Sequence, residues 1–151
     1  MALANMTQEE TNRENREHCK QIAGAVEAYA EGNARRCPEC GEEIIREWDN
    51  VGDKFRCPHC HTVNDTEDFE ELSLYDYFDD CLDIKYLIDS DCETVNSVKV
   101  MVTCGGPNIY IDTESRNVEL YWGTDRASYP ISYTVCDQID EWAQELFDCH
   151  G

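Results

Sequence analysis

Basic residues are scarce in this sequence. Its 151 residues carry 12 Lys+Arg against 33 Asp+Glu, a net charge of -21. Such a surface repels phosphate, which argues against direct grip on DNA or RNA and favours a partner that is itself basic. Long apolar runs are missing too: none approaches the ~20 residues of a membrane-spanning helix. Met1 to Arg16 is polar and charged, unlike a secretory signal. There is no phosphate-binding loop, no dinucleotide fingerprint and no low-complexity tract. What is present suits a folded chain. Hydrophobic residues at 41% and aromatics at 10% suffice for a modest core. The length fits one domain of ~100–200 residues, or a small module beside a compact companion.

The ten cysteines divide into two groups. Cys37, Cys40, Cys57 and Cys60 form two tight pairs, whereas Cys19, Cys81, Cys92, Cys104, Cys136 and Cys149 are scattered. The expected compartment is the cytosol of a bacterial host, where stable disulfides are rare. The paired cysteines then read as metal ligands. The scattered ones read as small buried hydrophobes or idle surface thiols.

Charge divides the chain into three segments. Residues 1–32 carry a net -3, residues 33–64 a net -1 and residues 65–151 a net -17. The sequence predicts a helix over the first, a zinc-ribbon module over the second and an acidic α+β domain over the third. Thr7 and Glu10 have the spacing of a capping box. Cys19, Ile22, Ala23, Val26 and Ala30 recur at helical steps and form one apolar stripe. Gln8 to Glu17 has almost no apolar face and is expected to project or fray. Gly32 and Asn33 suit the helix stop. Phe69 to Phe78 reads as a short helix. Four strands follow over 82–88, 97–103, 109–112 and 118–122, with turns at 104–108 and 113–117. Ile131, Val135, Ile139, Trp142 and Leu146 mark a C-terminal helix, whose apolar face leaves a homodimer open beside a monomer. About four antiparallel strands with flanking helices make an α+β fold.

The most specific signal is C-x2-C-x16-C-x2-C, from Cys37-Pro38-Glu39-Cys40-Gly41 and Cys57-Pro58-His59-Cys60-His61. A two-residue gap lets both thiolates of a pair reach one ion. Gly41 can take the positive φ that points backbone amides at sulfur. The sixteen-residue spacer suits a hairpin from Ile44–Trp48 through a turn at 50–53 to Lys54–Arg56. Four thiolates favour one tetrahedral zinc with Zn–S of about 2.3 Å, and iron fits the same ligand set. They leave no open coordination position for hydrolytic chemistry. The apolar content of the segment is small, so the metal is expected to supply much of its folding energy, roughly 10–16 kcal/mol in small modules. His59 and His61 read as exposed loop residues. This segment, residues 37–61, resembles a zinc ribbon with rubredoxin-type knuckles, which implies a hairpin-rich structural module.

From Asp65 to Glu93 there are twelve acidic residues and one lysine, Lys85, interleaved with Phe69, Tyr75, Tyr77 and Phe78. Carboxylates spaced along a surface can present a field like that of duplex phosphates, at one charge per roughly 1.7 Å of axis. The candidate partner-binding residues are Asp65, Glu67, Asp68, Glu70, Glu71, Asp76, Asp79, Asp80 and Asp83. Aromatics among them would add apolar anchors. The net -17 exceeds the magnitude of ~2–8 that solubility needs in a small domain.

Catalytic candidates are few. Asp112, Glu114 and Glu119 flank a predicted hairpin, as metal-dependent nuclease carboxylates do, but no lysine follows at a suitable spacing. They read as turn and surface residues. Cys104 beside Gly105-Gly106 lacks an evident histidine partner and reads as the end of a buried strand. No enzyme is expected.

The block Val100–Thr113, with Val118-Glu119-Leu120-Tyr121-Trp122 and Ile139-Asp140-Glu141-Trp142-Ala143, resembles small proteins encoded by phages and mobile elements of Gram-positive gut bacteria. In size, acidity and cysteine knuckles the chain also resembles anti-CRISPR proteins that inhibit type II effector nucleases. That resemblance implies a non-enzymatic inhibitor that docks on a basic surface of the effector and blocks DNA loading. The alternative is a zinc-ribbon nucleic-acid or transcription-associated adaptor using Arg35, Arg36, Arg46, Lys54 and Arg56. A third reading is an electron-transfer module with iron in the knuckles.

Overall fold

The computed structural model describes residues 7–45, 49–104 and 106–150. Expectations that rest on Met1 to Met6, Arg46, Trp48 and Gly105 lie outside them. The fold is α+β. Helix α1 (Gln8–Ala30) starts at Thr7, whose hydroxyl accepts the Glu10 amide at 3.1 Å. Gly32 stops it at φ +77°. Asn33 N donates to Ala28 O at 2.8 Å and Gly32 N to Tyr29 O at 3.4 Å, the paired bonds of a Schellman stop.

Two small antiparallel sheets follow. In one, β1 (Ala34–Arg36) lies between β2 (Glu43–Ile45) and β6 (Glu70–Glu71); in the other, β4 (Lys54–Arg56) lies between β3 (Asp49–Val51) and β5 (Val63–Asp65). The expected hairpin forms in part: its turn and its Lys54–Arg56 arm are present, but Ile44 does not belong to the opposite arm, and residues 46–48 lie outside the described ones. Ile44 pairs with Arg35 in β1, and the partner of β4 is β3 across a Gly52-Asp53 turn. The reason is packing: Ile44 is 1% exposed and shares a small core with Phe55, Phe69, Cys37 and Cys57. The expected helix over Phe69–Phe78 is shorter. Phe69 and β6 belong to the cysteine module, and only Leu74–Tyr77 is helical (α2).

The main sheet has five antiparallel strands, not four, in the order β11-β10-β9-β8-β7. They are β7 (Asp83–Ile88), β8 (Val95–Thr103), β9 (Asn108–Asp112), β10 (Asn117–Trp122) and β11 (Asp125–Pro130). The unforeseen β11 pairs with β10 through a two-residue Gly123-Thr124 turn, with Gly123 at φ +62°. Its hydrophobic signal is weak because only alternate residues, Ala127 and Tyr129, turn toward the core. One face of the sheet buries Val98, Val100, Ile109, Ile111, Val118 and Leu120.

Helix α1 and α3 (Tyr133–His150) cover that face. Cys19, Ala23 and Val26 of α1 and Val135, Ile139, Trp142 and Ala143 of α3 are buried there. Fully burying a Val or Ile side chain stabilises by ~1.5–3 kcal/mol, so this face decides the domain. It also leaves the Ile131–Leu146 stripe inside the core rather than free for a dimer. The first half of α1 does not project, contrary to expectation. It lies along β11: Gln8 Nε2 donates to Asp125 at 2.9 Å, Arg16 donates to Ser128 O at 2.9 Å, and the Arg16 guanidinium sits 5.2 Å from the Tyr129 ring centroid. Its polar face is used because an edge strand offers polar groups. Among the described residues, no helix is long and apolar enough to cross a membrane.

Candidate metal centre

The two cysteine knuckles are near-copies, each a turn between two antiparallel strands. Cys37 N donates to Glu42 O and Cys57 N to Thr62 O, both at 3.0 Å. Gly41 N returns to Cys37 O at 3.0 Å and His61 N to Cys57 O at 2.9 Å. Glu39 N points at Cys37 Sγ and His59 N at Cys57 Sγ, both at 3.4 Å. Gly41 has φ +76°, as its place in the turn requires, and His61 occupies the equivalent place at φ +64°. These turns aim backbone dipoles at sulfur, which favours the thiolate.

The four sulfurs converge. All lie within 4.8 Å of one another, and the Cys37–Cys60 and Cys40–Cys57 separations are both 3.7 Å. A tetrahedron with metal–sulfur bonds of about 2.3 Å has edges of about 3.8 Å. The arrangement is that of a four-thiolate site for a metal ion and is compatible with zinc. Cys37 and Cys57 are buried, Cys60 is half-buried and Cys40 faces solvent. Thr62, which the motif alone did not single out, lies 3.3 Å from Cys60 Sγ. Its hydroxyl and amide lower the Cys60 thiol to about 6 against burial and alongside its sulfur neighbours. Cys40 moves the other way, to about 12: the Glu42 backbone pulls it down, but burial and the three other sulfurs raise it further. Among the described residues, no other cluster of His, Cys, Asp or Glu converges in this way. His59 and His61 stay on the surface.

The ribbon cations are engaged locally. Arg35 pairs with Glu71 at 3.5 Å, Arg36 with Glu43 at 3.6 Å and Lys54 with Asp65 at 3.9 Å.

All nine candidate partner-binding carboxylates are exposed. They divide between two supports. Asp65, Glu67, Asp68, Glu70 and Glu71 sit on β5, on a 3-10 turn at Thr66–Asp68 and on β6, all attached to the cysteine module. Asp76, Asp79, Asp80 and Asp83 follow α2 into β7. Asp65 and Glu71 carry the ion pairs just named. Asp76 accepts the Ser73 amide at 2.7 Å and so caps α2. Among the described residues, no cation pairs with the remaining six.

Compared with known proteins, the chain matches no family model, no curated protein and no solved structure at a significant level.

The carboxylates and the cysteine considered for catalysis have structural partners or surface positions. Asp112 accepts the Glu114 amide at 2.9 Å and closes the β9–β10 turn. The lysine absent from local spacing comes from β8: Lys99 stands opposite Asp112 and 3.4 Å from Glu119. Burial opposes the Lys99 charge, but Glu119 beside it more than offsets this and raises its pKa. Cys104 is exposed beyond the end of β8 rather than buried in a strand. Of the six scattered cysteines, the buried ones are Cys19 and Cys136, each pushed up to about 11 by desolvation.

Proposed function

We propose that the chain holds one zinc ion in its four-cysteine site and acts, without catalysis, as an inhibitor that docks its acidic surface on a basic groove of a nucleic-acid enzyme. The resemblance to anti-CRISPR proteins makes a type II CRISPR effector nuclease in a bacterial cytosol the partner to test, with DNA loading blocked. One observation carries the reading. Nine exposed carboxylates are concentrated between Asp65 and Asp83, and Glu67, Asp68, Glu70, Asp79, Asp80 and Asp83 have no cation from among the described residues against them. Unpaired acids at that density cost self-repulsion, and a basic groove built for DNA would relieve it.

The nucleic-acid adaptor reading has less support, because Arg35, Arg36 and Lys54 are engaged with carboxylates. Zinc is favoured over iron because closed four-thiolate sites in small modules are its usual structural use. A colourless, zinc-containing preparation is expected, and visible absorbance would give the site to iron.

The test is charge reversal at Glu67, Asp79, Asp80 and Asp83 together, each to Lys. Asp76 is left alone because its change would also uncap α2. Binding to the guide-loaded effector should weaken and its salt dependence should flatten. Unchanged affinity with an unchanged salt slope would remove the docking surface from this segment.

A further inference from the structure

The main sheet ends in two edges that the fold treats differently. Helix α1 lies along β11, where the Arg16 guanidinium occupies the Ser128 carbonyl at 2.9 Å. At the other end β7 pairs with β8 alone, and among the described residues no other strand or helix lies along it. Half of its backbone N–H and C=O groups bond to β8, and the other half face outward unpaired. The edge strands of the two small sheets, β2, β3, β5 and β6, have only two or three residues each. The six-residue β7 is therefore the one long open edge among the described residues. Folded proteins blunt such edges with proline, lysine or bulges. Asp83–Ile88 has no proline and a single lysine, Lys85, and its register shifts only at Leu87/Ile88. Its side chains are left unfinished as well. Ile84, Tyr86 and Ile88 are half-buried at the rim of the core. Leu82 and Leu87, 56% and 48% exposed, are the only exposed leucines among the described residues.

We propose that β7 receives an extended segment of the basic partner as a sixth strand of the sheet, with apolar residues at alternate positions and Lys or Arg toward the segment's ends. The proposal rests on the docking reading above for the partner's charge and adds recognition through the backbone. In strand addition, main-chain hydrogen bonds supply the affinity and alternate side chains the specificity. Apolar residues on the core side of the added strand bury beside Ile84, Tyr86 and Ile88. The basic residues answer the ends of β7. Asp79, Asp80 and Asp83 stand at its start and Asp89, Asp91 and Glu93 beyond its end, against Lys85 alone. All six carboxylates are exposed. A second copy of β7 would bring the same six acids to the same edge, and like charges opposite one another destabilise a strand pair. The added strand and the acidic surface are continuous, because β7 opens on Asp83, the last of the nine candidate carboxylates.

The experiment is a ¹H–¹⁵N NMR titration of the full, zinc-loaded chain with the peptide acetyl-Lys-Arg-Val-Thr-Val-Thr-Val-Arg-Lys-amide. The comparison is the same peptide with its valine and threonine nitrogens methylated, which keeps the charge and the side chains and removes the central backbone donors. The first peptide should slow hydrogen exchange at alternate amides of Asp83–Ile88, and the methylated one should bind at least roughly tenfold more weakly. Equal binding of the two, or exchange along β7 unchanged at saturation, would overturn strand addition. The variant Leu87→Lys puts a second lysine on the edge at an exposed position. It should weaken the first peptide by roughly tenfold, and unchanged exchange over β8–β10 would show that it is folded; undiminished binding would also overturn the proposal. Failure of strand addition is distinguishable from failure of the docking reading. If Leu87→Lys inhibits the effector as well as the parent chain does while the charge-reversal variant does not, the acidic surface stands and strand addition falls. If the peptide adds to β7 as expected and no effector is inhibited, strand addition stands and the effector assignment falls.

Discussion

The ring of Phe69 meets the ring of Phe55 edge-on, with centroids 4.7 Å apart and planes at 90°. Phe55 lies two residues before Cys57, so this contact fastens the strip Asp65–Glu71 to the metal module rather than to the main sheet. The pairing of Arg36 with Glu70 and Arg35 with Glu71 across β1 and β6 does the same through the backbone. Folding of the cysteine module and the presentation of the acids from Asp65 to Glu71 are therefore coupled.

Zinc removal should release that strip. After chelation, amide exchange over residues 63–71 is expected to rise together with that of residues 34–57, while β8–β10 remain protected by the main core. Phe69→Ala should have a milder form of the same effect, at a cost of ~3–5 kcal/mol for a buried Phe in so small a core. Exchange-coupled mass spectrometry reads both. A strip that stays protected without metal would break the coupling.

The two knuckles predict opposite outcomes for similar changes. Gly41 has φ +76°, and a Cβ added to it would meet nothing within 4 Å, so Gly41→Ala costs backbone conformation alone, about 1–2 kcal/mol. His61 already carries that strain at φ +64°. His61→Gly should recover up to about 1 kcal/mol, less the extra freedom of glycine in the unfolded chain. Competition with a zinc chelator should rank His61→Gly at or above the parent and Gly41→Ala below it.

Asp140 gives a pH signature. Its carboxylate accepts from Thr113 Oγ1 at 2.7 Å, and Thr113 Oγ1 accepts the Val98 amide at 2.9 Å, tying α3 to β8. Burial raises its pKa above 3.8, against the Thr113 hydrogen bond and with help from Asp137. A raised carboxylate pKa means that the folded state binds the proton more tightly than the unfolded chain. The stabilisation is then complete below the unfolded pKa and is lost as pH rises through the folded one. Asp140→Asn keeps an acceptor for Thr113 without the charge. It should raise Tm at pH 7 relative to the parent, and the gain should vanish below about pH 4, near the unfolded value. An equal gain at both pH values would assign the effect to packing.

The metal centre was legible because four cysteines at fixed spacing carry their own geometry. The alternating Val98, Val100 and Val102 and the helical steps of Val135, Ile139 and Trp142 likewise state which face is buried. β11 was not legible from hydrophobicity, since Arg126, Ser128 and Pro130 face away from the core. Its signal was the Gly123-Thr124 turn after Trp122. Missing β11 also made the first half of α1 look unsupported, because its supports are Asp125, Ser128 and Tyr129. The attachment of Phe69 to Phe55 was invisible for a different reason: no periodicity links two rings across a metal loop.

The most direct test of the inhibitory reading is a competition assay. The zinc-loaded protein is titrated into a guide-loaded type II effector nuclease with labelled target DNA, at low and at high salt. Target binding is predicted to fall at low salt and to fall less at high salt, because the proposed docking is electrostatic. Target binding untouched at both salt concentrations would contradict the inhibitory reading.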